Sequence, residues 1–175
     1  MERTPPEAAP GAALHWHCAR FGELGVHALH DALALRCRVF ILEQGPYQDP
    51  DAADQRAWHL LGRNAAGTLL ACARLVEPGA SFAEPSIGRV VTAPEARGQG
   101  LGRLLVARAL AHCQQVWPGQ AVRIGAQAHL QAFYGSLGFA TVSAVYLEDG
   151  IAHVEMLWRP PASSPTTTPL PQEAP

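Results

Sequence analysis

The stretch Arg97-Gly98-Gln99-Gly100-Leu101-Gly102 places glycine at every second position directly ahead of an amphipathic run. Few local structures accept that pattern. Upstream, Ser86-Ile-Gly-Arg-Val-Val-Thr92 reads as a strand, rich in the β-branched residues that suit a pleated surface. Downstream, residues set about 100° apart gather Leu101, Leu105, Ala109, Val116, Cys113, Val106, Trp117 and Leu110 on one half of a helical wheel. Arg103, Gln114, Gln115 and Arg108 lie opposite. The spacing predicts a helix from about Gly100 to Trp117 with one face on a sheet, stopped by Pro118-Gly119. A strand therefore feeds a helix through a glycine turn. At such a helix start the first backbone N–H groups lack intrahelical partners and the dipole is positive, which makes an anion site. Glycine permits φ > 0 and close approach of a phosphate, and Arg97 adds charge at the rim. The chemistry suits a pyrophosphate. A dinucleotide fingerprint would need glycine where Arg103 stands, and a P-loop would need a Gly-Lys-Ser/Thr ending. A plain strand-to-helix connection with a glycine cap stays open on these residues alone.

The rest of the chain supplies a sheet for that helix. Leu14, Trp16 and Cys18 alternate with His15, His17 and Ala19, the period of a half-buried strand. Leu29, Leu33, Val39 and Phe40 predict a helix from Val26 to about Leu42, and residues 44–54, with Gly45, Pro46 and Pro50, read as a loop. Residues 58–63 and 68–77 flank Asn64-Ala65-Ala66-Gly67 as a hairpin. A short strand (Val122 to Gly125), a short helix (Leu130 to Leu137) and a hairpin of 141–147 and 151–158 around Glu148-Asp149-Gly150 complete the order. The expected class is α+β: a mixed central β-sheet flanked by helices. A length of 175 residues suits one domain, placed at 14–159. Residues 1–13 and the Pro/Ser/Thr-rich 160–175 read as disordered tails, too poor in large apolar groups to offset the entropy of ordering.

Charge and cysteine usage narrow the function classes. The net charge is −2 and the 13 Lys and Arg residues are spread along the chain, which argues against nucleic acid as partner. Cys18, Cys37, Cys72 and Cys113 form no C-x-x-C pair or metal-ligand spacing, and His15 and His17 share a strand face without a Cys or carboxylate pattern, so no metal is expected. Neither a secretory leader nor a run of 18 apolar residues is present, so neither export nor membrane insertion is expected, and cytoplasmic residence fits best.

Arg97, Gly100 and Gly102 match the three fixed positions of Gln/Arg-x-x-Gly-x-Gly/Ala, and through them the chain resembles the GNAT N-acetyltransferases, whose fold it is then expected to share. It is similar to their ElaA-like subgroup through Arg36-Cys-Arg-Val-Phe40, Glu43-Gln44, Pro46-Tyr-Gln-Asp49, Ile87-Gly-Arg-Val-Val91, Gly125-Ala-Gln-Ala-His129, Phe133-Tyr134, Gly138-Phe139 and Glu148-Asp-Gly150. These segments span nearly all of the globular part. The resemblance implies acetyl-CoA as co-substrate, direct transfer to a small-molecule or peptide amine in a ternary complex, and no covalent acyl-enzyme. It puts the backbone of Val90, Val91 and Thr92 beside the pantetheine arm and the pyrophosphate on Arg97, Gly98, Gln99, Gly100, Leu101 and Gly102. Gln127 stands where the family usually has Asn, seven residues before its catalytic Tyr, and is carried over as a cofactor contact together with Phe133.

Tyr134 corresponds to the tyrosine that protonates the departing thiolate, a phenol near pKa 10 being able to serve a thiol near 8.5. Packing beside Phe133 is its competing role. An alkylammonium has no lone pair at neutral pH, so the amine needs a base or a water chain. Glu43 is the first candidate, with His129 and Glu84 behind it. Asp49, Asp51 and Asp54 form an acidic cluster that reads either as a solvated loop or as a lure for a cationic amine. The rival to an enzyme is a catalytically silent acyl-CoA sensor or interaction module; an acetylating toxin acting on charged tRNA is disfavoured by the negative charge. Which amine is used is not legible here, and a homodimer remains open.

Overall fold

The computed structural model describes residues 14–45 and 48–161. Both expected tails lie outside the described residues, apart from the stretch at 160–161. The alternation near the N-terminus becomes β1 (His15–Arg20), with His15 and His17 exposed. It pairs with β2 (Trp58–Arg63), which turns into β3 (Leu69–Val76). The turn works as its residues predict: Gly67 takes φ 83 and donates its N–H to the Asn64 carbonyl at 2.9 Å, and Thr68 N–H donates to Asn64 Oδ1 at 2.9 Å. Such an Asn and a positive-φ Gly are the usual chemistry of a tight reversal.

Every position of β3 is buried. A strand buried on both faces needs cover on both, and α1 (Val26–Arg36) and α2 (Leu101–Val116) each pack against it. The apolar half of α2 seen in the sequence is the half that is buried: Leu101, Leu105, Val106, Ala109, Leu110 and Cys113. Burying such a Leu or Val contributes roughly 1.5–3 kcal/mol. The sheet continues through β4 (Ser86–Thr92), β5 (Val122–Gln127), β6 (Phe139–Thr141), β7 (Tyr146–Glu148) and β8 (Ile151–Trp158). Its order is β1-β2-β3-β4-β5-β8-β6, with β7 also on β8. All neighbours are antiparallel except β4 and β5, which α2 joins as a crossover. The mixed sheet flanked by helices is the expected one.

Four local differences from the sequence reading have physical causes. The first helix stays α-helical only to Arg36 and closes with a π turn, Cys37–Ile41, in which Leu42 N–H reaches the Cys37 carbonyl at 3.1 Å. That wider turn shifts the phase of the side chains after it. The short strand after Pro118-Gly119 runs on to Gln127, and the short helix α3 (Gln131–Gly135) is preceded by a 3-10 turn, Ala128–Leu130. The first arm of the last hairpin splits into β6 and β7, with Val142 and Val145 exposed between them and the Ser143 hydroxyl, in place of a main-chain carbonyl, accepting from Glu155 N–H of β8 at 2.8 Å.

The fourth difference corrects the acidic cluster. Asp49 is 1% and Asp54 4% exposed, so neither a solvated loop nor a surface lure describes them. Asp51 opens a 3-10 turn, Ala52–Arg56, through a capping box with Asp54. Arg36, 2% exposed at the end of α1, donates Nε to Asp49 at 2.8 Å and Nη1 to Asp54 at 2.7 Å. Arg74 of β3 reaches Asp51 at 2.6 Å and Asp54 at 3.1 Å. Arg89 of β4 lies 2.8 Å from Asp49 Oδ1 and donates to the Asp49 carbonyl at 3.0 Å. Burial alone would raise the Asp54 carboxyl, yet the hydrogen bonds and charge of Arg36, with the charge of Arg74, hold it down at about 2. Loop, helix and two strands are thus fastened by alternating charges.

Candidate active site

The fastening bears on the sheet. The β3–β4 register slips between Cys72 and Arg74, and Arg89 opposite takes φ 49, the left-handed region that a non-glycine residue seldom enters. This is a bulge held by the Arg89–Asp49 contacts, and bulges bend a strand away from its neighbour. On its other side β4 meets β5 only at Ser86↔Arg123, with Arg123 N–H on the Pro85 carbonyl at 2.9 Å. Beyond that point a cleft of about 560 Å³ is lined by Gly88, Arg89, Val90 and Thr92 from β4 and by Ile124, Gly125, Ala126 and Gln127 from β5.

A second recess, about 430 Å³, adjoins it and shares Thr92, Arg97 and Leu130. Gly98, Gly100, Leu101, Gly102, Arg103 and Phe133 line this one. Gly98 and Gly100 both sit at φ 77, and a Cβ on either would meet nothing within 4 Å. The glycines serve backbone conformation and leave open space over the helix start. The first bond into α2 is Leu104 N–H to the Gly100 carbonyl at 3.1 Å, so the amides ahead of it are the free donors of a helix N-terminus. The two recesses thus share walls, one lying at the glycine turn ahead of α2 and the other in the parted sheet.

The expected residues fall along it unequally. Val90, Thr92, Arg97, Gln127, Tyr134, Glu43 and His129 line the cleft, while Gly98, Gly100, Leu101, Gly102 and Phe133 line the recess at the turn. Val91 points the other way, 3% exposed and opposite Cys72, so only its backbone can serve the cleft; Gln99 lines neither cavity. Gln127 donates Nε2 to Gln44 Oε1 at 2.9 Å across the opening. Glu43 holds Arg97 with both oxygens, at 3.0 and 3.2 Å. Glu84 is not a wall of the cleft: it pairs with Arg123 at 2.7 and 2.9 Å, which removes it from the candidates for a base.

Tyr134 lies at the cleft with its ring edge-on to Phe133 and Phe139, at 5.0 and 5.8 Å between centroids. Burial pushes its hydroxyl up to about 12, so it stays protonated through the neutral range. The same burial leaves it a hydrogen-bond donor at neutral pH and a weaker acid than an ordinary phenol. Arg89, Gln44, Gly125 and His153 are wall residues to which sequence reasoning gave no role. The isolated Gly88 inside a strand pattern was a usable sign of the bulge at Arg89. Among the described residues no group of three or more His, Cys, Asp or Glu is placed to hold a metal ion, and no helix is long and apolar enough to cross a membrane.

Residues 48–160 match the acetyltransferase (GNAT) domain family. The chain belongs to that family. It is 42% identical to a UPF0039 protein of Synechocystis sp., over 85% of this chain and 97% of that one. It is likewise 42% identical to protein ElaA of Escherichia coli, over 82% and 95% of the two chains. The crystal structure of an acyl-CoA N-acyltransferase from Pseudomonas aeruginosa superposes with a TM-score of 0.79 at 43% identity, covering 83% of this chain and 99% of that one. The fold is therefore the GNAT fold and the chain an ElaA-like GNAT protein. Acyl transfer from a CoA thioester is the chemistry of the family, and the cleft and glycine turn are features through which a GNAT protein can carry it out.

Proposed function

We propose that the chain transfers an acetyl group from acetyl-CoA to a primary amine by direct attack while both are bound. The observation that carries this reading is the parted β4–β5 pair, whose cleft is lined by Tyr134 and shares Thr92, Arg97 and Leu130 with the recess at the start of α2. Acetyl-CoA supplies an acyl carbon on a good leaving group. The chain supplies position and protons. Arg97, Gly98, Gln99, Gly100, Leu101 and Gly102 would hold the pyrophosphate by backbone donors and one guanidinium, with Phe133 against the same recess. Backbone groups of Val90, Val91 and Thr92 would pair with the pantetheine amides, and Gln127 would meet the arm from β5. Tyr134 would give its proton to the departing sulfur.

The direct test is thiol release from acetyl-CoA with a panel of amines, amino acids and peptides, beside calorimetry of CoA binding. Turnover with at least one amine supports the reading. Tight CoA binding with no turnover on any of them would replace it with the acyl-CoA sensor, which keeps the glycine turn and needs no acceptor.

A further inference from the structure

A proton acceptor for the amine has to face the cleft with a free lone pair. Glu43 faces it, but both its oxygens hold the Arg97 guanidinium, and a proton taken up by the carboxylate would weaken that pairing. Another wall residue meets the requirement without giving up a partner. Antiparallel pairing sets His153 of β8 opposite Gln127 of β5 and opposite Tyr146 of β7, so the three side chains stand in one row on one face. His153 lines the same cleft as Tyr134. Its Nδ1 lies 2.9 Å from the Ile151 carbonyl. A carbonyl oxygen only accepts, so Nδ1 carries the hydrogen and the neutral ring keeps its lone pair on Nε2. The Tyr146 ring stacks on the imidazole, 6.0 Å between centroids and 29° between planes, which fixes its orientation. Gly125 makes room for that arrangement, since a Cβ there would stand 3.1 Å from the Tyr146 hydroxyl.

We infer that His153 is the general base that takes the proton from the acceptor ammonium. The inference rests on the acyl-transfer reading above. Nε2 removes one proton from R–NH₃⁺, and the freed nitrogen lone pair forms the C–N bond to the acyl carbon as the C–S bond breaks. The sulfur receives the Tyr134 hydroxyl proton, Tyr134 takes the second nitrogen proton, and Nε2 returns the first to water. The sum is amide, free thiol and one released proton. The groups that face or neighbour the imidazole are Tyr146 and Glu148 from β7, Glu155 two residues on, His129 and Glu43 along the cleft, and Arg89 from β4.

The test measures thiol release from acetyl-CoA by the full chain with two probe acceptors. n-Butylamine is an ammonium at pH 7, whereas methoxyamine is already neutral. His153→Ala removes the ring, and His153→Asn keeps a donor for the Ile151 carbonyl while removing Nε2. Both should lower kcat/KM for n-butylamine by about 10²–10⁴-fold with CoA affinity retained, and the deficit should narrow to a few-fold with methoxyamine. Added imidazole should restore part of the His153→Ala rate. Wild-type rates with n-butylamine, or equal losses with both amines and no rescue, would overturn the assignment. So would the same amine-selective loss in Glu43→Gln but not in the His153 variants. A wild-type chain that binds CoA and releases thiol with neither probe nor any panel amine removes the acyl-transfer reading and this one with it.

Discussion

Removing a single hydroxyl separates the two roles open to Tyr134. Tyr134→Phe keeps the ring that meets Phe133 and Phe139, so the fold and CoA affinity should persist while kcat falls about 10²–10⁴-fold. A thiolate leaving near its own pKa of about 8.5 needs no donated proton. The deficit should therefore narrow as pH rises toward 9, which a pH profile of thiol release reads directly; an unchanged kcat with a lowered Tm would make the tyrosine structural. The glycine turn invites a matched pair. Gly100 caps α2 at φ 77, so Gly100→Val forces a β-branched residue into the left-handed region, costing at least about 1–2 kcal/mol of stability along with CoA binding. Gly102 lies inside the helix, and a Cβ there meets only Phe133 Cζ at 3.7 Å, an ordinary contact. Gly102→Val should thus weaken CoA at least about tenfold by calorimetry with Tm little moved. Unchanged affinity would take the pyrophosphate away from this turn.

Among the elements, the charge network joining α1, the 48–54 stretch, β3 and β4 is where one substitution should cost most. Asp54→Asn leaves the buried Arg36 and Arg74 guanidinium groups short of a counter-charge, and breaking such a pair typically costs 3–5 kcal/mol. Urea denaturation of the variant measures it. This network also shows what the sequence could and could not convey. The hairpin of β2 and β3, the buried half of α2 and the turn before it were legible, because each is written in residues a few positions apart. The acidic cluster was misread since its partners, Arg36, Arg74 and Arg89, come from three other elements and become visible only when the chain is folded. The π turn hid inside a helical period that it offsets by one residue. Tyr134 was carried over from the family resemblance and the glycines were read from their spacing, while His153 lines the cleft only through the pairing of β8 with β5.

For the molecule as a whole, two buried groups contribute to the response to acid. His59, 3% exposed, donates Nε2–H to the Asp54 carbonyl at 2.9 Å, and burial pushes its pKa below the ordinary 6.5. The unfolded chain therefore binds a proton that the fold resists, and stability should begin to decline as pH drops below about 6.5. Asp54 follows. Its carboxyl is held at about 2 against an ordinary 3.8, so its share, about 2 kcal/mol, is present above roughly pH 5 and lost as pH falls through 2. Denaturation midpoints across pH 2–8 should show both declines, and Asp54→Asn should shrink the lower one, to which Asp51, also held down by Arg74, still contributes. The parting of β4 from β5 has a consequence of another kind. Two strands that part just after their start carry raw edges into the interior of the protein, with main-chain donors and acceptors waiting along them. An extended molecule with amides of its own can lie between them as a temporary extra strand, zipping the sheet shut from the inside. Hydrogen exchange would see this as slowed amide protons in β4 and β5 on addition of CoA, with β1 and β2 at the far edge unchanged.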